Sequence, residues 1–335
     1  MPLRPEGKIL CHHTSFMAQA HTSPTDPSST DVPGLEDDDS APACVMSFNA
    51  SDPSGAGGLT ADVLAISSAG AHALAVVTGA YSRDTAEILD HFPFDEDAVS
   101  EQARAALEDM PVSAIKVGFV GSPENVSAIA EIASDYADVP LIAYMPNLTW
   151  WDDSELESYL DAFRELMLPQ ATVLVGNHST LWRWLLPDWS GEGKPTARDI
   201  AKAAGELGVP YTLVTGMPAA DQSIDNVLAT PQSVLYSEKF ERFEASFAGA
   251  GDTLSAALSA LLANGHDLQS ATAEALTYLD QSLNAGFQPG MGHLVPDRMF
   301  WAQAEDDETP EGADTPTTPL ASATPFDMNP HGTKH

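Results

Sequence analysis

Basic side chains and cysteines are the scarce residues of this chain. Its 335 residues hold only 14 Lys and Arg against 49 Asp and Glu, a formal charge of −35. A surface this acidic repels nucleic acid and anionic membrane, so neither is expected as a partner. Two cysteines, Cys11 and Cys44, are too few for a disulfide framework, and a reducing, cytoplasmic setting is the expectation. No apolar run reaches the length of a membrane span, and the N-terminus carries no continuous apolar segment of the signal-peptide kind. There is no internal repeat.

What the chain does have is 43% hydrophobic residues, enough for a sizeable core, lying between two polar ends. Residues 1–42 and 304–335 are rich in Pro, Ser, Thr and Asp and lack a core-forming period. Both read as disordered acidic tails around one domain over 43–303. In the first tail, Cys11-His12-His13 offers ligating side chains. No second cluster completes a site, so no metal is assigned to protein side chains.

Between the tails, short apolar runs alternate with amphipathic helical stretches. Strands are expected at Cys44–Phe48, Ala73–Val77, Ile115–Val120, Leu141–Tyr144, Ala171–Val175 and Tyr211–Val214. Helices are expected at Ser54–Gly70, Asp97–Glu108, Glu124–Tyr136 and Ser154–Leu166. This alternation predicts an α/β fold with a mostly parallel sheet covered on both faces. Asp225–Leu228 and Ser233–Phe243 read as antiparallel strands at one edge, followed by helices at about Ala250–Asn264 and Leu268–Ala285.

The most informative segment is Gly249-Ala250-Gly251-Asp252, at the start of the first of those two helices. Small residues let backbone N–H groups approach an anion, and a helix start adds unpaired donors and a positive dipole end. Gly249, Ala250 and Gly251 are therefore expected to form an anion hole. Asp252 is placed to accept a proton from a substrate hydroxyl as it attacks a phosphoryl group. The same residues also suit a plain loop before an Asp-capped helix. A second segment, Asn49-Ala50-Ser51-Asp52-Pro53-Ser54-Gly55-Ala56-Gly57-Gly58, is a polar, Gly-rich turn at a strand's C-terminal end, where open α/β sheets bind ligands.

Both segments resemble a known family. Gly249–Asp252 resembles the Gly-X-Gly-Asp signature of the ribokinase-like superfamily. The second resembles the opening Gly-Ser-Asp-X-Ser-Gly-Gly-Ala-Gly-Ile-Gln-Ala-Asp of the hydroxymethylpyrimidine/phosphomethylpyrimidine kinases, matching at Asp52, Ser54, Gly55, Ala61 and Asp62. Leu74–Thr85, Ile115–Gly121 and Gly290–Trp301 resemble further motifs of that family in the same order. The similarity spans roughly 44–301. It implies a three-layer α/β/α ribokinase-like fold, ATP and Mg²⁺ as cofactors, and Asp252 as base. It also implies a pyrimidine pocket at Asp52, Gly57, Arg83 and Phe119, with Lys116 a weaker member, and nucleotide contacts at Asn177, Thr215 and Gly216. Members often dimerise, so a homodimer is compatible with it.

The chain departs from the family at several of these places. Arg83 stands for a pyrimidine-binding Gln and Phe119 for a Met. Tyr144-Met145-Pro146-Asn147 stands for Asp-Pro-Val, Thr180 for a Glu, and Thr215-Gly216-Met217 for Lys-Gly-Gly. An Arg donates but cannot accept, so Arg83 suits a phosphate or carboxylate, or else is a surface side chain. The resemblance implies phosphorylation of 4-amino-5-hydroxymethyl-2-methylpyrimidine or its monophosphate. A pyridoxal kinase-like enzyme and a non-catalytic pyrimidine- or nucleotide-binding homologue remain the alternatives. The scattered histidines, among them His72, His91, His178 and His293, read as satisfied surface or boundary residues.

Overall fold

The run at Cys44–Phe48 is apolar at consecutive positions because strand β1 (Cys44–Ser51) is buried on both faces. In a computed structural model that describes residues 41–302, Asp221 excepted, β1 lies inside a nine-stranded sheet of order β3-β2-β1-β4-β5-β6-β7-β8-β9. The second tail, all but the last two residues of the first, and Cys11-His12-His13 lie outside the described residues.

β1 pairs in parallel with β2 (His72–Arg83) and β4 (Val112–Val117). The parallel ladder continues through β5 (Leu141–Met145), β6 (Val173–Asn177) and β7 (Tyr211–Pro218). Antiparallel strands close both edges: β3 (Ile88–Pro93) on β2, and β8 (Ser223–Ala229) with β9 (Val234–Glu241) beyond β7. Strand β2 is longer than the expected Ala73–Val77, because its outer half forms a hairpin with β3.

The sheet separates two cores. One contains side chains of α2 (Glu96–Asp109), α3 (Pro123–Ser134), α4 (Asp153–Ala162), α5 (His178–Leu185) and α6 (Ala197–Glu206). The other is filled from α1 (Gly58–Ser68), α7 (Ala250–Ala263) and α8 (Leu268–Asn284). Helix α1 begins at Gly58 rather than Ser54, so Asp52–Gly57 is free to act as a loop. Helix α4 stops at Ala162 and passes into a π-helical turn, Phe163–Met167, where a continuous helix to Leu166 is expected from sequence. Among the described residues no helix is long and apolar enough to cross a membrane.

Candidate active site

The two-residue period of a strand decides which side chains reach the site. On β1, Met46, Phe48 and Ala50 face the core under α2–α6, so Ser47 and Asn49 face α1 and α7. On β4, Ile115 and Val117 take the first core, and Lys116, paired with Ser47, takes the α7 side. On β5, Ile142 and Tyr144 face the α7 side. Three neighbouring strands thus send Ser47, Asn49, Lys116 and Tyr144 to one face, beneath the start of α7.

There they meet Asp62 of α1 and Asp252 of α7. The Lys116 ammonium lies 2.8 Å from both carboxylate oxygens of Asp62 and 3.2 Å from Oδ1 of Asp252. Asn49 donates from Nδ2 to both acids, 2.9 Å each, and Ser47 donates to Asp62 at 2.8 Å. Lys116 is 0% exposed, and is a partner of the acids rather than a pocket wall. Burial raises the Asp62 carboxyl above its usual range, the Lys116 ammonium opposes that, and the Asp252 charge adds to it. Asp252 is the open end of the cluster, its side chain 15% exposed. Its Oδ2 accepts from the Gly58 backbone N–H at 3.1 Å.

Helix α7 starts as the sequence predicts. Gly249 caps it with φ 78°, and the first i→i−4 bond runs from Thr253 N to Gly249 O. The N–H groups of Ala250, Gly251 and Asp252 therefore have no intrahelical acceptor and can receive an anion. Gly249 also lies against the other loop, where a Cβ would collide with the Ala56 carbonyl oxygen. Gly249→Ala is expected to cost about 1–3 kcal/mol from the left-handed backbone alone, and the collision adds to that. A thermal melt of the purified variant checks it; an unchanged melting temperature contradicts the geometry.

Asp52 sits 3% exposed and organises the loop it begins. Oδ1 accepts from the backbone and hydroxyl of Ser54 (2.8 and 2.6 Å), and Oδ2 from Gly57 N (2.8 Å). Arg83 closes the ring, Nη1 standing 3.3 Å from Asp52 Oδ2, and Nε donates to the Asp84 carbonyl. Arg83 is therefore a paired wall residue and not a free surface side chain. Gly57 lies next to Asp252, where a Cβ would stand 3.1 Å from Oδ2.

Phe119 is not the open stacking platform expected from sequence. It is 1% exposed, enclosed by the chain's own rings: stacked on Tyr81 (centroids 5.4 Å, 16°) and edge-on to His91, Trp150 and Trp151. The Trp150-Trp151 pair begins five residues beyond β5, and both rings pack edge-on against Phe119. His178 is satisfied but buried, where a surface or boundary residue is expected from sequence; its Nε2 lies 2.8 Å from the Pro195 carbonyl.

On the far side, Asn177, Thr215 and Gly216 come together at the C-terminal ends of β6 and β7, where Asn177 pairs with Thr215 and Gly216 lies against Asn177 Nδ2. The Asn177 carbonyl oxygen is spent capping α5, accepting from the N–H and hydroxyl of Ser179. A cavity of about 220 Å³ between the end of β5, α4 and α5 is lined by Met145, Asn147, Leu148, Thr180, Arg183 and Trp184. No carboxylate faces it, and no group of three or more metal-ligating side chains exists among the described residues. Among the described residues this cavity thus offers Mg²⁺ no set of carboxylate ligands.

Three residues of the centre carry no role in the sequence reading. Asn49 was read as part of the polar turn after the first expected strand, with no function attached. Asp62 matched the family motif without a function attached. Arg298, 4% exposed, clamps the two loops, donating to Thr253 Oγ1 at 2.9 Å and to the Gly55 and Ala56 carbonyls. No local pattern marks it.

A mostly parallel sheet covered on both faces, with a carboxylate in the first turn of a Gly-led helix, is the fold and site of a ribokinase-like phosphotransferase. The chain belongs to the phosphomethylpyrimidine kinase family, whose family model matches residues 52–297. It is 27% identical over 266 residues to a hydroxymethylpyrimidine/phosphomethylpyrimidine kinase of Streptomyces coelicolor, covering 79% of this chain and 97% of that protein. Among solved structures it resembles a pyridoxal kinase of Bacillus subtilis in an ADP complex, with TM-score 0.68 and 20% identity over 79% of this chain and 100% of that one. It also resembles a phosphomethylpyrimidine kinase of Clostridium difficile, with TM-score 0.57 and 20% identity over 71% and 99%.

Proposed function

We propose that this protein transfers the γ-phosphoryl group of ATP to the hydroxymethyl group of 4-amino-5-hydroxymethyl-2-methylpyrimidine or its monophosphate. The observation that carries this is Asp252, bonded to Lys116 and Asn49 at a helix start whose first N–H groups have no intrahelical acceptor. Both acceptor positions of Oδ1 are taken by Asn49 and Lys116, whereas Oδ2 accepts only from Gly58 and keeps one free. Oδ2 is therefore the basic atom. It takes the hydroxyl proton as the substrate oxygen forms its bond to phosphorus and the bond to the ADP oxygen breaks. The first-turn donors of α7 hold the oxygens of the phosphoryl group in flight. Mg²⁺ in this reading accompanies the nucleotide on its phosphates.

ADP release tests the proposal, using Mg·ATP with the pyrimidine alcohol, its monophosphate and pyridoxal in separate reactions. Turnover with either pyrimidine supports it. Turnover with pyridoxal alone replaces the substrate. None, with folded protein, favours the non-catalytic homologue, a reading to which Thr180 and Thr215, at positions where the family resemblance expects Glu and Lys, lend weight.

Arg83 is the residue placed to choose between the two pyrimidines. Its guanidinium already serves Asp52 and has donors to spare, which suits a substrate phosphate. Arg83→Gln is expected to raise KM for the monophosphate about tenfold, the loss of one charge-assisted contact. The unphosphorylated alcohol should change much less. Equal effects on both substrates would remove Arg83 from phosphate recognition.

A further inference from the structure

The geometry points to the Tyr144 hydroxyl as a donor of the phosphoryl-transfer site, acting beside the N–H groups of α7; this rests on the kinase reading above. Tyr144 stands in the stretch 144–147, where the family resemblance expects an acid.

The position of the side chain follows from β5. Its parity sends Tyr144 to the α7 face, and its place near the strand's C-terminal end puts it level with the start of that helix. The ring covers Lys116, whose ammonium lies 5.5 Å from the ring centroid. The hydroxyl lies on the first turn of α7: a Cβ on Gly251 would collide with the Tyr144 oxygen and with its Cζ. Gly251 is glycine because a tyrosine occupies the space its side chain would need. The hydroxyl is thus placed one residue before Asp252, and among the described residues it has no hydrogen-bond partner.

A second property fits the role. Burial, then the charges of Asp252 and Asp62, hold the phenol well above its ordinary value. It keeps its proton at every pH at which the enzyme would work, so it can donate. A phosphoryl group gathers negative charge on its equatorial oxygens during transfer, and a donor already in place gains strength there without reorganising. A carboxylate at this position would need a metal ion between itself and the phosphate, whereas a phenol donates directly. The carboxylate-free lining of the cavity at the strand ends and the tyrosine on β5 are then two sides of one change in how charge is met.

Tyr144→Phe tests the inference, since it keeps the ring over Lys116 and removes only the hydroxyl. With the substrate found by ADP release, kcat is expected to fall about 100-fold, the typical loss of one such donor. KM for the alcohol should stay within about threefold, the pattern of a contact made chiefly in the transition state. A variant with kcat within about twofold of wild type overturns the inference and leaves the kinase reading intact. If wild type turns over none of the alcohols, the proposed function falls, and the hydroxyl is then tested with inorganic phosphate alone. Phosphate that raises the melting temperature of wild type but not of Tyr144→Phe supports the donor. An equal shift in both, or none in wild type, overturns it.

Discussion

Asp252→Asn is expected to lower kcat by about 10²–10⁴-fold, the range that a positioned general base contributes. Asn is nearly isosteric and still offers a carbonyl oxygen to Asn49 or Gly58. It cannot take the hydroxyl proton from the substrate. The scaffold around it keeps its own contacts, because Asp62 still accepts from Lys116, Asn49 and Ser47. ADP affinity, measured by calorimetry, should therefore remain near that of wild type. Full turnover in the variant would remove Asp252 from the base role. Loss of ADP binding together with turnover would show that the carboxylate chiefly shapes the nucleotide site.

Lys116→Met should be the most damaging single change to the folded state. It removes the one ammonium that two acids share and leaves Asp62, fully buried, without its cation. Breaking a buried pair by deleting one partner costs about 3–5 kcal/mol, which lowers the melting temperature of a domain this size by roughly 10 °C. The sign of its pH dependence is fixed by Asp62. Burial raises that carboxyl in the folded protein, so the folded state holds its proton more tightly than the unfolded chain does. Stability from this group is complete below the ordinary carboxylate range and is lost as pH rises through the raised value. Lys116 opposes the rise, so removing it extends the loss upward. The melting deficit of Lys116→Met should then be wider at about pH 8 than at about pH 5. Asp62→Asn combined with Lys116→Met removes one acid along with the cation and should recover part of the deficit. A single variant that melts within about 2 °C of wild type would show that the acids find another cation.

The parts legible in the sequence share one physical property. Strands buried on both faces, such as β1 and β4, are mostly apolar and stand out as runs. Strand β3 was missed for the opposite reason. At the sheet edge it leaves Leu89 and Phe92 in solvent (66% and 58% exposed) beside Asp90 and His91, so no alternation marks it. In the site, Gly249–Asp252 could be read because an anion hole at a helix start needs small residues next to one another in the chain. Asn49, Lys116 and Arg298 could not be assigned that way. Their roles depend on which strands become neighbours, and Lys116 inside an apolar run signals only that a buried charge has found partners. The surroundings of Phe119 were not legible either. The rings that enclose it come from β2, β3, α4 and the loop after β5.

The clamp made by Arg298 bears on how the protein is made. Ser47 and Arg298 are the earliest and latest residues of the centre, and every strand after β1 lies between them. The strands can pair in the order in which the ribosome releases them. The Gly55–Ala56 loop and the first turn of α7 stay untied until the closing segment emerges, threads past Thr85 and brings the guanidinium between them. A nascent chain would thus carry its scaffold well before its chemistry, and a stop codon just short of Arg298 would leave the sheet complete and the two loops unfastened.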